Sequence, residues 1–395
     1  MKYQLLFLLC FFIAGTNLAQ VNDFSHKIQS KYFETKRTIK IHLPKNFNKT
    51  ERLPVIFILD AQWDTYFKLT TSIIDYLIET NEFPRCIIVG VNSENRQYEF
   101  TPEPINEDWK VPNLGGAKLL ESHIENEVVH FLEQVYNIES YRIVIGHSLG
   151  ATFVLNSSVD RPNLFNAYIA ISPNLQIDNE EIINKIQRYG KELSNSKKFI
   201  YTSLGTDGNP ESIFLESAKK LDLIMMEHNS STLNWNFSIY QGINHATSPT
   251  ESIHNSLLLL AKKWRIPEIE KIEIACSPNV VDQFNNFYKK LSNWTGYTVL
   301  PSQTDLYNFA AFLEERAQFN DAINLYKSAL ELYPSESKLF YCIAIDLKKL
   351  DMKKEAELYL LRALKVLKDE KIENPKDKKF FKNLYKRNLE NLNQK

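Results

Sequence analysis

Glycine is scarce in this chain, with 11 in 395 residues. Cysteine is scarcer still at four, and no CxxC, HExxH or clustered Cys/His pattern occurs. Those absences exclude a disulfide-built scaffold and speak against a zinc site. Neither sign of charge dominates: 47 Lys and Arg face 48 Asp and Glu, a net charge of −1. No global field recruits nucleic acid or an anionic membrane. No stretch beyond the N-terminus reaches 18 apolar residues, so no membrane span is expected in the mature chain. What remains is an ordinary globular composition, 44% hydrophobic and 24% charged. It can bury a core, and its length suggests two domains, at most three.

Residues 1–19 read as a cleavable export signal. Lys2 supplies the positive end, Leu5 to Ala14 is an unbroken apolar run, and small residues precede Ala19-Gln20. About ten apolar residues are too few for a bilayer core of roughly 30 Å. Asn17 is not ideal for cleavage after Ala19. A lipoprotein signal would use Cys10, but Leu9 stands where a small residue belongs, and a buried N-terminal helix is the other alternative. The mature chain, secreted or periplasmic, keeps Cys86, Cys276 and Cys342, an odd number that forbids complete internal pairing; buried thiols are expected.

The glycines divide the rest. Nine lie between Gly90 and Gly242, and none follows Gly296. Tight-turn architecture therefore belongs to residues 20–270, and long helical periodicity takes over from 271. In the first region strand patterns (Thr38–Leu43, Leu53–Leu59, Cys86–Val91, Tyr141–Ile145, Tyr168–Ile171, Lys198–Leu204, Asn236–Tyr240) alternate with helical ones (Phe67–Ile78, Leu119–Tyr136, and another after Gly150). Such alternation predicts an α/β fold, a mostly parallel sheet with helices on both faces.

The most informative segment is Ile143-Val144-Ile145-Gly146-His147-Ser148-Leu149-Gly150-Ala151. A buried strand runs into Gly-x-Ser-x-Gly and then into a helix, the context of a nucleophile elbow. Ser148 would sit on a strained turn, with Gly146 and Gly150 preventing collision, at a helix N-terminus that favours developing negative charge. A plain turn with a capping serine is the competing explanation. A serine nucleophile needs a general base and an acid to orient it, in the chain order Ser, acid, His. His245 is the expected base, in a Gly-containing loop just past a strand, ahead of His228 and His254. Asp207, after strand Lys198–Leu204, is the expected acid, with Glu211 as its competitor. The backbone N–H groups of Leu149 and Gln62 are the expected oxyanion donors.

These stretches, together with Arg37-Thr38-Ile39-Lys40-Ile41-His42-Leu43-Pro44, Leu53-Pro54-Val55-Ile56-Phe57-Ile58-Leu59-Asp60, Asn95-Arg96, Thr101-Pro102, Gly115-Gly116 and Gly242 to His245, resemble the putative-esterase family of α/β-hydrolases. That family includes esterase D and the ferric-enterobactin esterases and, more distantly, mycolyltransferases. The resemblance covers nearly all of residues 30–262. It implies an α/β-hydrolase fold and ester hydrolysis, with Ser148 as nucleophile, His245 as base and an acidic partner. Ala61 and Ala151 stand where the family commonly has Gly, and the acid loop matches least well.

Past residue 270, a helical linker over 271–302 leads into residues 303–395. There Ala310 and Ala344, Leu313 and Leu347, Ala322 and Ala356, and Ala329 and Ala363 are paired at an offset of 34. That period, with small residues where helices cross, is the tetratricopeptide signature. Units 303–336 and 337–370 are expected, flanked by helices around Val281–Trp294 and Lys378–Leu392; the Lys-rich last segment reads as a solvated face. The repeats would either bind a protein segment or pack on the first domain and shape its cleft mouth. The sequence thus suggests an exported serine ester hydrolase without cofactor or metal, acting on a small-molecule ester. The alternative is an inactive hydrolase-fold scaffold working through its repeats.

Overall fold

A computed structural model of the protein describes residues 23–372 and 374–393. The export signal expected over residues 1–19 lies outside the described residues.

Eight strands form one sheet: β1 (Asp23–Gln29), β2 (Lys36–His42), β3 (Leu53–Leu59), β4 (Ile87–Val91), β5 (Ile138–His147), β6 (Ala167–Ile171), β7 (Lys198–Asp207) and β8 (Leu233–Asn244). Their order is β1-β2-β4-β3-β5-β6-β7-β8. β2 runs antiparallel to both neighbours, and all pairings from β4 through β8 are parallel. Parallel strands need crossovers, and helices such as Asp64–Glu79, Leu149–Asp160 and Glu211–His228 supply them. Every residue of β3, β4 and β6 is buried, because helices cover both faces of the sheet. One apolar cluster on one face joins Phe57, Val144 and Phe153; the other joins Ile58, Ile145 and Leu257. This is the mostly parallel sheet with helices on both faces that the alternation predicted.

Several strands depart from expectation, β5 and β8 by running beyond both expected ends. β1 was not foreseen: five of its seven residues are exposed at the sheet edge, so no hydrophobic alternation marks it. β7 runs three residues beyond Leu204, and its pairing with β8 is irregular between Gly205 and Asp207. A Cβ on Gly205 would lie 1.9 Å from the Ile243 carbonyl oxygen, so only glycine fits there.

The C-terminal region is entirely helical. Helices Gln303–Glu315 and Ser337–Lys349 begin 34 residues apart, as do Phe319–Leu332 and Lys353–Asp369. The alanines and leucines matched at that offset are all buried. The helix Val280–Thr295 precedes them and Pro375–Asn393 follows. This half meets the sheet through Trp264 and Trp294, whose rings pack on Tyr141 at 5.5 and 5.7 Å. Lys197 Nζ also donates to the Asn293 carbonyl at 2.6 Å, and Arg265 pairs with Glu82. Tyr141, Lys197 and Glu82 all lie towards the N-terminal ends of the parallel strands. Of the three cysteines expected to be buried, Cys86 is, Cys342 is half-buried and Cys276 is exposed. No described helix is long and apolar enough to cross a membrane.

One carboxylate behind the sheet is poorly compensated. Glu121, wholly buried, accepts a bond from Ser157 Oγ at 2.6 Å, and Arg161 approaches only to 3.8 Å. Burial pushes its pKa up from 4.5 to about 7, outweighing Ser157 and the nearby cations. A folded pKa above the unfolded one means that stability is lost as pH rises from about 4.5 to about 7. Glu121→Gln should therefore raise stability at pH 8 by roughly 2–3 kcal/mol and leave it nearly unchanged at pH 4.5. Thermal melts at the two pH values check this, and an equal effect at both would contradict it.

Candidate active site

Because strands β3 through β8 run the same way, the segments after them share one edge of the sheet, where open α/β folds place their ligands. Asp60 and Gln62 follow β3, Ser148 follows β5, Ser172 follows β6, Glu211 follows β7 and His245 follows β8.

Ser148 has φ +59° and ψ −122°, a conformation that L-residues avoid, immediately before the helix Leu149–Asp160. Its N–H donates to the Ile171 carbonyl at 2.9 Å, and its own carbonyl accepts from Ala151 and Thr152 N–H. The elbow is therefore held from both sides. Its tightness shows at Gly146, where a Cβ would meet the Gly150 carbonyl oxygen at 2.3 Å. Gly150 is less constrained than expected: the nearest atoms to a Cβ there, including Asp60 Oδ2, are 3.6 Å away.

His245 Nδ1 is 2.8 Å from Glu211 Oε1, and Glu211 Oε2 accepts the Gly205 N–H at 2.8 Å. The acid expected at this histidine, Asp207, is not there. Its side chain is exposed, with Thr206 Oγ1 at 3.5 Å. The reason lies in the extension of β7. Asp207 is the last strand residue and pairs with Asn244, whereas the chain turns at Gly208 (φ +70°) and Glu211, opening the helix Glu211–His228, points back beneath His245. Burial would raise the Glu211 pKa, but bonds from His245, Ser172 and Gly205 N–H outweigh it and hold the carboxyl below its ordinary value. A buried carboxylate kept ionised against an imidazole is the arrangement that fixes a tautomer and stabilises an imidazolium.

The His245 loop reaches the elbow through His147. Its Nε2–H donates to the His245 carbonyl at 2.9 Å, and the two rings lie 4.6 Å apart. Around the elbow, the N–H groups of Gln62 and Leu149 form no hydrogen bond with another described residue. Both are thus available as donors. The Gln62 side chain is itself anchored, through Nε2 to Asp60 Oδ1 at 2.8 Å and through Oε1 to Ser93 N–H at 3.0 Å.

Asp60, buried and at φ +59°, receives Arg96 through Nε at 3.2 Å and Nη2 at 2.9 Å. Arg96 also faces the Trp63 ring at 5.0 Å, and Trp63 is 46% exposed. Of Trp63, Tyr66 and Phe67 on this loop, Phe67 is in the core, Tyr66 is half-buried with its hydroxyl covered, and Trp63 is the most exposed. Among the described residues no group of three or more His, Cys, Asp or Glu could hold a metal ion.

With this geometry in hand, the chain can be set beside known proteins. The model of the family described as "Putative esterase" matches residues 30–210. Over those residues the chain is similar to that family. The ferri-bacillibactin esterase BesA of Bacillus subtilis is 28% identical to this chain over 204 residues, covering 46% of the chain and 63% of BesA. The chain spans about three fifths of the length of the curated relatives it matches. Among solved structures, an IroE-like serine hydrolase from Shewanella oneidensis has the same fold: TM-score 0.63, 21% identity, 77% of this chain and 97% of that one. An uncharacterised protein from Capnocytophaga ochracea, at TM-score 0.67 and 16% identity, covers 94% of this chain and 99% of its own, so it shares the helical half as well.

The elbow geometry separates its two glycines. Gly146→Ala should cost about 3 kcal/mol or prevent folding, because main chain, not a flexible side chain, meets the new methyl. Gly150→Ala should lie within about 1 kcal/mol of the parent, helped by better helix propensity. Denaturant titration of both variants checks the contrast, and equal losses would contradict it.

Proposed function

We propose that the protein is an exported serine ester hydrolase in which Ser148, His245 and Glu211 act as nucleophile, base and orienting acid. The observation that carries this reading is the Glu211–His245 hydrogen bond at the strand edge that also carries the strained Ser148. In the first step Ser148 Oγ attacks the ester carbonyl carbon as His245 Nε2 takes its proton. The oxyanion is met by Leu149 and Gln62 N–H, donors worth about 10²–10³ in rate each. The C–O bond to the alcohol then breaks, and the imidazolium returns the proton to the leaving oxygen. Water, deprotonated by His245, attacks the acyl-enzyme and releases the carboxylic acid and free Ser148. If an alcohol replaces water in the second step, the same residues perform acyl transfer.

For the substrate, the reading favours a siderophore ester over a carbohydrate-linked acyl ester or a small thioester. It is supported by the similarity to a ferri-bacillibactin esterase. Arg96 and the exposed Trp63 beside the elbow suit a substrate with anionic and aromatic parts. The helical repeats, of tetratricopeptide type by their period, join the sheet at the edge opposite this site. They are proposed to carry a protein-binding surface of their own, not to frame the cleft mouth.

Two measurements test the reading. A fluorophosphonate probe should label the wild type and not Ser148→Ala, and a siderophore trilactone should be hydrolysed faster than acylated sugars or thioesters. Unchanged labelling of Ser148→Ala would end the serine mechanism, and a folded wild type inert to every ester would favour a scaffold. Glu211→Gln should lower kcat by about 10²–10⁴, and Asp207→Asn by less than about twofold. The reverse ranking would restore Asp207 as the acid.

A further inference from the structure

His147 occupies the variable position before Ser148, and no step of the proposed reaction uses it. Its surroundings are nonetheless specific. A carbonyl can only accept, so the 2.9 Å contact with the His245 oxygen places the proton on His147 Nε2. Ser248 Oγ donates to the same oxygen at 3.0 Å and lies 3.0 Å from Ser172 Oγ. At the turn from β8 into the helix Ser248–Ala261, Asn244 at the strand end and Ala246 and Thr247 beyond it are exposed, so little else packs on this loop. The His147 ring covers one side of His245 at 4.6 Å, and Phe214 approaches edge-on at 5.9 Å. Burial first, and then the neighbouring His245, push the His147 imidazole down to about 4. It is therefore neutral at neutral pH and does not repel an imidazolium beside it.

We propose that His147 is a positioning residue that pins the His245 loop to the end of β5, setting the height of the base above Ser148. The proposal rests on the hydrolase reading. Glu211 fixes the rotation of the His245 ring, and His147 fixes the backbone from which that ring hangs. The two act together, because a side chain oriented by its Nδ1 alone still moves with the backbone that carries it.

The test compares His147→Gln, whose amide can donate to the same carbonyl, with His147→Asn, polar but too short to reach it, and with His147→Leu. Turnover of p-nitrophenyl acetate and the low-field proton resonance of His245 Nδ1–H are measured for each. The Asn and Leu variants should lose about 10- to 100-fold in kcat with KM nearly unchanged, the scale expected when a reacting group is displaced by about an ångström. Their His245 resonance should broaden or vanish, while the Gln variant recovers most of kcat and a sharp resonance. Wild-type kcat and an intact resonance in Asn or Leu would overturn the proposal, as would equal impairment of Gln and Asn, which would make the imidazole a space-filler. Should the wild type neither turn over nor take up a fluorophosphonate, the hydrolase reading fails. The resonance still decides whether His147 holds the loop.

Discussion

The site depends on a steric constraint: the chain must reverse from β5 into a helix within a single residue. With Gly146 against the main chain of Gly150, there is no room for any side chain at that position, and Ser148 is forced into a conformation that costs about 1–3 kcal/mol. The surrounding lattice holds it there. Ile171 at the end of β6 accepts its N–H, and the first turn of the following helix closes on its carbonyl. Such strain persists only where the fold over-determines it, and a sheet buried on both faces supplies the rigid frame. Every other group near the site is placed relative to this bend by the common direction of β3 through β8.

Much of this was legible in the sequence because its signals are short-range. β3 was located to the residue, since seven consecutive buried positions leave a continuous apolar run. The elbow was legible because sterics demand a glycine beside the serine. The helical half was legible as a period, since identical helix crossings need small residues at identical offsets, and Ala322, Ala329, Ala356 and Ala363 all prove buried. What could not be read was set by pairing between distant segments. The length of β7 is decided by its irregular register against β8, and that register moves Asp207 onto an exposed strand end and brings Glu211 under His245. The signal that was available is Glu211 itself, an acid at the start of a helical pattern just past a Gly-Asn-Pro turn. β1 carries no apolar alternation and exists because β2 offers it an open edge.

The two halves are joined without encroaching on the site. Trp264, Trp294 and Tyr141 form an aromatic seam near the start of β5, while the reactive groups gather past the other end of the same strand. On the proposed reading, this separation leaves the helical surface free for a partner while the opposite ends of the strands stay open to a small molecule.

The claim on which all of this turns is that Ser148 is the atom-bearing centre, with Leu149, Gln62 and the Glu211-held His245 arranged around it. The most direct measurement is a crystal structure of the protein after reaction with a phosphonate ester. It should show phosphorus bonded to Ser148 Oγ, the phosphoryl oxygen within hydrogen-bond reach of both Leu149 and Gln62 N–H, and His245 still on Glu211. A phosphonate bonded elsewhere, or bonded to Ser148 with its oxygen turned away from both donors, would contradict it.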